Sequence, residues 1–218
     1  MKGLLSFHSS RNILYLDSKL ILEMRPNRFM ASILIGGTPG TGKTMVAKVL
    51  GSRLSVDVVA LGELADTYGC VSAQDKARDT GIIDEDCMVE AIIDMVEEKT
   101  KRIIIEGHYI DLVPSSAVQW AFILRTHPET LRERLTKRGY KDEKVKENVE
   151  AEVLGVCQLD ALESFGEERV LEIDTTEMTP PDVASMIEQM MHDEPAPNRI
   201  DWMVDLEKEG RLDEFLSE

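Results

Sequence analysis

The octapeptide Gly37-Thr38-Pro39-Gly40-Thr41-Gly42-Lys43-Thr44 constrains this chain more than any other segment. It satisfies the pattern G-x-x-x-x-G-K-[ST], which arises by accident in a chain of this length roughly once in a hundred. The apolar run Ser32 to Ile35 precedes it and predicts a short strand. Val46, Ala47, Leu50 and Leu54 follow at helical spacing, so Lys43 to Leu54 is predicted as a helix. A strand, a glycine-rich turn and a helix in that order make a phosphate cradle. The glycines let successive N–H groups converge on one phosphate chain, and the helix N-terminus adds its partial positive charge. Lys43 then reaches the β- and γ-phosphates of a nucleoside triphosphate, and the Thr44 hydroxyl is placed to ligate Mg²⁺.

Strands and helices alternate along the rest of the chain. Val56 to Leu61, Ile103 to Ile105, Trp120 to Leu124 and Val170 to Ile173 read as further strands. Helices are predicted over Glu63 to Tyr68, Asp84 to about Lys99, Pro128 to Lys137 and Pro181 to His192. A long charged helix is predicted over Asp142 to about Ser164. The polar stretch Gly69 to Gly81, bounded by glycines, reads as a mobile insert. This order predicts an α/β fold of the P-loop NTPase kind, a parallel sheet of about five strands with helices on both faces.

Charge and composition narrow the partners. Asp plus Glu is 41 against 25 for Lys plus Arg, a formal net charge of −16. Such a chain is a poor non-specific binder of DNA or RNA, but suits a basic protein partner or a nucleotide held in a local cationic pocket. No apolar run reaches the ~18 residues of a membrane span, so no membrane association is expected. Cys70, Cys87 and Cys157 are far apart in sequence, which argues against a zinc ribbon or a disulfide scaffold and for a reducing, cytoplasmic compartment. Residues 1–29 carry five basic and two acidic side chains, opposite to the remainder. They read as an arm outside the domain, or as the product of an upstream start codon. The working domain is expected over residues 30–192, with an acidic tail at 193–218. In that tail Trp202, Met203, Leu206, Leu212 and Phe215 form an amphipathic stripe, suited to packing on its own domain or to binding a partner.

Two further clusters carry chemistry. Glu106 closes the strand at Ile103 to Ile105, and His108 follows it by two residues. Ligands in open α/β sheets lie outside the carboxyl ends of strands, so both should face the phosphates. Glu106 suits Mg²⁺ through water, and His108 suits a phosphate contact or a proton shuttle. Arg125 ends a strand, and Arg132, Arg134 and Arg138 lie on the next helix, the last two on one face. Planar guanidinium groups aimed at a phosphate chain neutralise charge as it develops, so Arg125, Arg134 and Arg138 are candidate phosphate contacts.

These segments occur in order with Ile82-Ile83-Asp84-Glu85-Asp86, Ile123-Leu124-Arg125-Thr126, Arg138-Gly139-Tyr140 and Glu147-Asn148-Val149-Glu150-Ala151-Glu152. The combination resembles the CINAP-type adenylate kinases in their archaeal branch, over roughly residues 31–190. The resemblance implies ATP binding by Gly40, Gly42, Lys43, Thr44, the backbone at Met45, and Arg138. It implies a monophosphate-binding insert at about 61–83 and a short lid at about 137–147. Catalysis would rest on Lys43, Glu106, His108 and Arg138. It also implies Mg²⁺ with ATP as cofactor, AMP or another nucleoside monophosphate as acceptor, and a basic platform protein of the small ribosomal subunit as partner. The family pattern has Asp at the position of Glu106 and a hydroxyl residue at the position of Met45.

The expected activity is reversible transfer between ATP and AMP, with ATP hydrolysis as companion and a role in small-subunit maturation and rRNA processing. The rival is an assembly factor that uses ATP as a switch on a ribosomal protein, with little kinase work. A small-metabolite kinase fits less of the pattern.

Overall fold

Ile33, Leu34 and Ile35 are successive apolar residues with no polar alternation, so a strand that contains them must be covered on both faces. All three are fully buried. They form the centre of strand β1 (Ser32–Gly36) in a computed structural model that describes residues 32–75, 80–99, 101–193 and 195–216, with 73–75 and 80 by backbone alone. The arm expected at 1–29 lies outside the described residues.

The main sheet also contains β2 (Val58–Ala60), β5 (Ile104–Glu106), β6 (Val118–Arg125) and β7 (Val170–Asp174). The strand order is β2-β5-β1-β6-β7 and every pairing is parallel. Side chains alternate between faces, so each strand feeds two cores. On one face Ile33, Ile35, Phe122 and Ile173 pack against helices α1 (Lys43–Leu54) and α7 (Pro180–Asp193). On the other, Leu34, Ile105 and Ile123 meet α2 (Leu61–Tyr68), α3 (Glu85–Glu98) and α6 (Val156–Phe165). The expected α/β P-loop architecture is therefore correct.

Several local expectations need correction. The long helix predicted from Asp142 to about Ser164 is two helices, α5 (Asp142–Val153) and α6. Gly155 separates them at φ +66°, a left-handed conformation that would strain any side chain there. The break lets Val145, Val149 and Val153 face α4 (Pro128–Lys137), while Cys157, Ala161 and Phe165 turn onto the sheet.

The insert expected at Gly69 to Gly81 contains an antiparallel hairpin, β3 (Val71–Asp75) and β4 (Thr80–Ile83), with Val71 opposite Ile83. At its base Cys70 and Cys87 form a disulfide, with Cα atoms 5.4 Å apart. This overturns the reading drawn from their separation in sequence. The hairpin returns the chain to its start, where the Asp84 N–H donates to the Cys70 carbonyl at 2.8 Å, so residues 17 apart in sequence become neighbours. The inference of a reducing compartment from cysteine usage loses its basis with it.

Beyond residue 193 the chain folds back. Helix α8 (Trp202–Glu209) and Phe215 close a third apolar cluster with Leu131, Leu135 and Val149. Arg211 and Arg132 lie over the Phe215 ring at 5.5 and 4.3 Å.

Beneath this cap Arg125 is 1 % exposed. Its guanidinium donates to Glu152 Oε1 at 2.9 Å, Glu172 Oε2 at 3.2 Å, Gln158 Oε1 at 2.6 Å and the Ile200 carbonyl at 3.1 Å. Removing one partner of a buried ion pair strands the remaining charge. Arg125→Met should therefore lower unfolding free energy by about 3–5 kcal/mol in urea titrations. Alkylation of the unfolded, unreduced chain should label one cysteine, Cys157, and reduction should raise the number to three.

Candidate active site

The glycine-rich loop leaves β1 at the carboxyl edge of the sheet and enters α1. Gly40 has φ +102°, and a Cβ there would lie 2.6 Å from Leu131 Cδ1, so the loop needs glycine at this point both for conformation and for space. The loop is braced from behind. Thr41 donates its N–H and its hydroxyl to the Thr38 carbonyl, and the Thr175 hydroxyl donates to the Thr41 carbonyl at 3.1 Å. Lys43 is nearly buried and its Nζ donates to the Thr38 carbonyl at 3.1 Å. Burial pulls the ammonium pKa below its ordinary value, Arg138 adds to that, and Glu106 and Glu152 partly restore it. The cation is thus held bare of water where an anionic ligand would stabilise it most.

Thr44 Oγ1 donates to Glu106 Oε1 at 2.9 Å. Parallel pairing sets this contact, because Glu106 stands opposite Ile35 in the register of β1 and β5. A hydroxyl and a carboxylate side by side are hard oxygen donors of the kind Mg²⁺ takes when phosphate oxygens and water fill its remaining positions. Among the described residues no group of three acidic, His or Cys side chains could hold a metal by itself.

These residues open into one cleft of about 900 Å³, lined among others by Gly40, Gly42, Lys43, Thr44, Met45, Glu106, His108 and Arg138. That volume lies at the upper end of the ~300–1,000 Å³ of small-ligand sites. Met45 is exposed beside the loop, and its N–H closes the first turn of α1 on the Gly42 carbonyl at 3.1 Å. His108 stands at the cleft mouth with its ring centroid 3.9 Å from that of Tyr109. Loss of water on that side, and then the charges of Lys43 and Lys144, push its pKa down to about 4. At neutral pH it is an uncharged imidazole, able to accept a proton.

The arginines divide. Arg138 caps α4, next to Gly139 in left-handed conformation, and reaches the cleft. Arg134 does not line it. Its Nη2 donates to the carbonyls of Thr175 and Thr176 at 2.8 and 3.0 Å, and its Nη1 to the Thr126 hydroxyl, so it braces the rear of the loop. Arg125 is sealed beneath the sheet edge, where its guanidinium donates to side-chain and carbonyl oxygens of the protein. The expectation that Arg125 and Arg134 contact phosphate gives way to structural roles, because both guanidiniums are satisfied by acceptors behind the loop.

Sequence reasoning placed Lys144 within the expected lid and Asn148 and Ala151 within a family segment, but gave none of the three a role at the site. Their spacing of four and three places them on one face of α5, and that face lines the cleft. Lys144 sits 5.2 Å from the centroid of Tyr140 and supplies a third cation to the cleft. The opposite wall is Gly62, Glu63, Ala65 and Asp66 of α2 with Val71, Gly81 and Ile83 of the hairpin. The cleft thus lies between the segment at 61–83 and the segment at 137–151, with the phosphate loop at its floor.

Residues 33–155 match the family model described as AAA domain. The chain is 40% identical over 171 residues to a protein of Methanocaldococcus jannaschii named "Putative adenylate kinase", covering 78% of this chain and 92% of that one. A Methanothermobacter thermautotrophicus protein of the same name is 42% identical over 160 residues, covering 73% and 89%. Among solved structures, shikimate kinase from Acinetobacter baumannii in complex with shikimate aligns with a TM-score of 0.53 at 16% identity, over 80% of this chain and 97% of that one. At that identity the likeness concerns the fold alone. In equilibrium titrations Lys43→Ala should weaken ATP binding at least about tenfold, a loss of ~1.4 kcal/mol or more, while circular dichroism stays that of the folded protein.

Proposed function

We propose, from the premise that this chain belongs to the archaeal "Putative adenylate kinase" family, that it transfers the γ-phosphoryl group of Mg·ATP to a nucleoside monophosphate, with AMP as the preferred acceptor. The observation that carries this reading is the two-walled cleft. On this reading a monophosphate would lie against the wall of α2 and the hairpin and ATP between the loop and Arg138, with their phosphates meeting over Lys43; that all these residues line one cleft supports it.

The chain's own groups account for the chemistry. In-line phosphoryl transfer needs positioning and charge neutralisation rather than a covalent intermediate. Lys43 holds the β- and γ-phosphate oxygens, and Arg138 with Lys144 closes over the chain from the lid side. Thr44 and Glu106 would hold Mg²⁺, directly and through water, and the ion would supply positive charge to offset that of the phosphates. Gly40, Gly42 and the first turn of α1 present backbone dipoles to the same phosphates. The acceptor's phosphate oxygen is already a competent nucleophile, so transfer asks little of a base.

ATP hydrolysis is the companion activity, and neutral His108 supports it. Water, unlike a phosphate, must be oriented, and the neutral ring of His108, two residues from Glu106 and lining the same cleft, can accept its hydrogen bond. Participation in small-subunit maturation and rRNA processing, through a basic ribosomal protein, rests on the family resemblance and on the net charge of −16. A cytoplasmic site of action goes with that role. Among the described residues no helix is long and apolar enough to cross a membrane.

Coupled assays separate the two activities. ADP formed from ATP plus AMP should exceed phosphate released from ATP alone, and a rate of ADP formation that no monophosphate raises above that of hydrolysis would overturn the kinase reading. His108→Ala should depress hydrolysis about tenfold or more while leaving transfer to AMP within about threefold. Equal losses in both would make His108 a general phosphate contact.

A further inference from the structure

The carboxylate of Glu152 is 1 % exposed and links two parts of the chain that the sequence does not connect. Its Oε2 accepts from the hydroxyl of Thr38, in the phosphate loop, at 2.5 Å. Its Oε1 accepts from Arg125 Nε at 2.9 Å, the Thr126 N–H at 2.9 Å and the indole N–H of Trp202 at 3.2 Å. Trp202 opens α8, is 7 % exposed, and lies edge-on to His127 with ring centroids 5.4 Å apart. Just before it, Ile200 donates its N–H to Glu172 Oε2 at 3.0 Å and accepts from Arg125 through its carbonyl. The C-terminal segment is thus clipped to the ion network from outside, while Thr38 is held by the same network from inside.

Thr38 matters because its carbonyl receives Lys43 Nζ and both donors of Thr41. A shift of Thr38 moves the lysine that grips phosphate. We propose that Glu152 and Trp202 are positioning residues of the ATP site: the segment 199–206 acts through Trp202, Glu152 and Thr38 to set the loop that presents Lys43. Neither residue lines the cleft, so neither touches nucleotide. The inference rests on the reading that the loop binds ATP, and it is independent of which acceptor receives the phosphoryl group.

The physical route is competition for one carboxylate. A buried acceptor that loses a donor rotates toward those that remain, and the Thr38 bond, at the other oxygen, is the one that must follow. Trp202→Phe keeps the apolar ring and removes the N–H, so α8 can stay docked through Leu206. Glu152→Gln keeps the shape, removes the charge that Arg125 pairs with, and either sets an N–H against Arg125 or reverses the Thr38 bond, so that its hydroxyl accepts where it had donated.

Equilibrium titration of the full chain with a fluorescent ATP analogue, and separately with a fluorescent AMP analogue, tests this. Expected is a weakening of ATP binding by about two- to tenfold for Trp202→Phe, the range one hydrogen bond supplies, and by more for Glu152→Gln. AMP binding should stay within about twofold, since its wall is α2 and the hairpin. The double variant should bind ATP no more weakly than Glu152→Gln alone, because both changes act through one carboxylate. Unchanged ATP affinity in folded Trp202→Phe, equal losses for ATP and AMP, or additive losses in the double variant would each overturn the proposal. If Glu152→Gln does not fold, the single comparison of Trp202→Phe with the parent decides. Because the readout is binding, a chain that binds ATP but transfers nothing to AMP fails the kinase reading and leaves this test intact.

Discussion

Glu152 and Arg125 form an ion pair with no access to water, and the carboxyl edge of the sheet is assembled around it. A charge in that position is tolerable only when each lone pair and each N–H finds a partner. The donors and acceptors come from β6, α5, β7, the linker after residue 195, α8 and the phosphate loop. No described buried side-chain nitrogen or oxygen is left without a partner. That completeness holds the loop's back in place while its front stays open. It also explains why Arg125 cannot serve phosphate: its guanidinium already organises the surface on which the loop rests.

A chain with a net charge of −16 must nevertheless attract a polyanion. It gathers Lys43, Arg138 and Lys144 into one cleft that Glu63, Asp66, Glu106, Glu147 and Asp160 line as well, so the cations act locally, at the glycine loop and on the side of 137–151. Desolvation then works on each group according to its role. It lowers the cost of pairing Lys43 with an anion, and it keeps His108 uncharged among cations. The cleft's positive charges are lysine and arginine, and the one imidazole in its lining, that of His108, is free to accept a hydrogen bond.

The two walls of the cleft differ in construction. On the side of 137–151, α4 and α5 are tied by apolar packing to α8 and Phe215. On the side of 61–83, a two-stranded hairpin stands on a disulfide between Cys70, just after α2, and Cys87 in α3. An isolated hairpin of this size is marginal on its own. Tying its ends together limits how far it can open and leaves its inner residues, Val71, Gly81 and Ile83, facing the site.

The glycine loop, the alternation of strands and helices, and the acidic strand end at Glu106 were legible in the sequence because each depends on neighbours a few residues away. Their residue types follow from local conformation and from which faces a strand must bury. The roles of Arg125 and Arg134 were not legible, since an arginine at a strand end reads the same whether it meets phosphate or carboxylate. The partners that decide the matter, Glu152, Glu172, Thr175 and Ile200, are 27 to 75 residues from Arg125 or 41 residues from Arg134. The Cys70–Cys87 pairing was hidden for the same reason: the intervening hairpin sets that distance. By itself the sequence determined that a phosphate chain is bound on a parallel sheet, because backbone geometry and side-chain periodicity are local properties. Only the tertiary structure decided which cations face the ligand and which are consumed as scaffold, because a buried charge takes its role from what surrounds it in space.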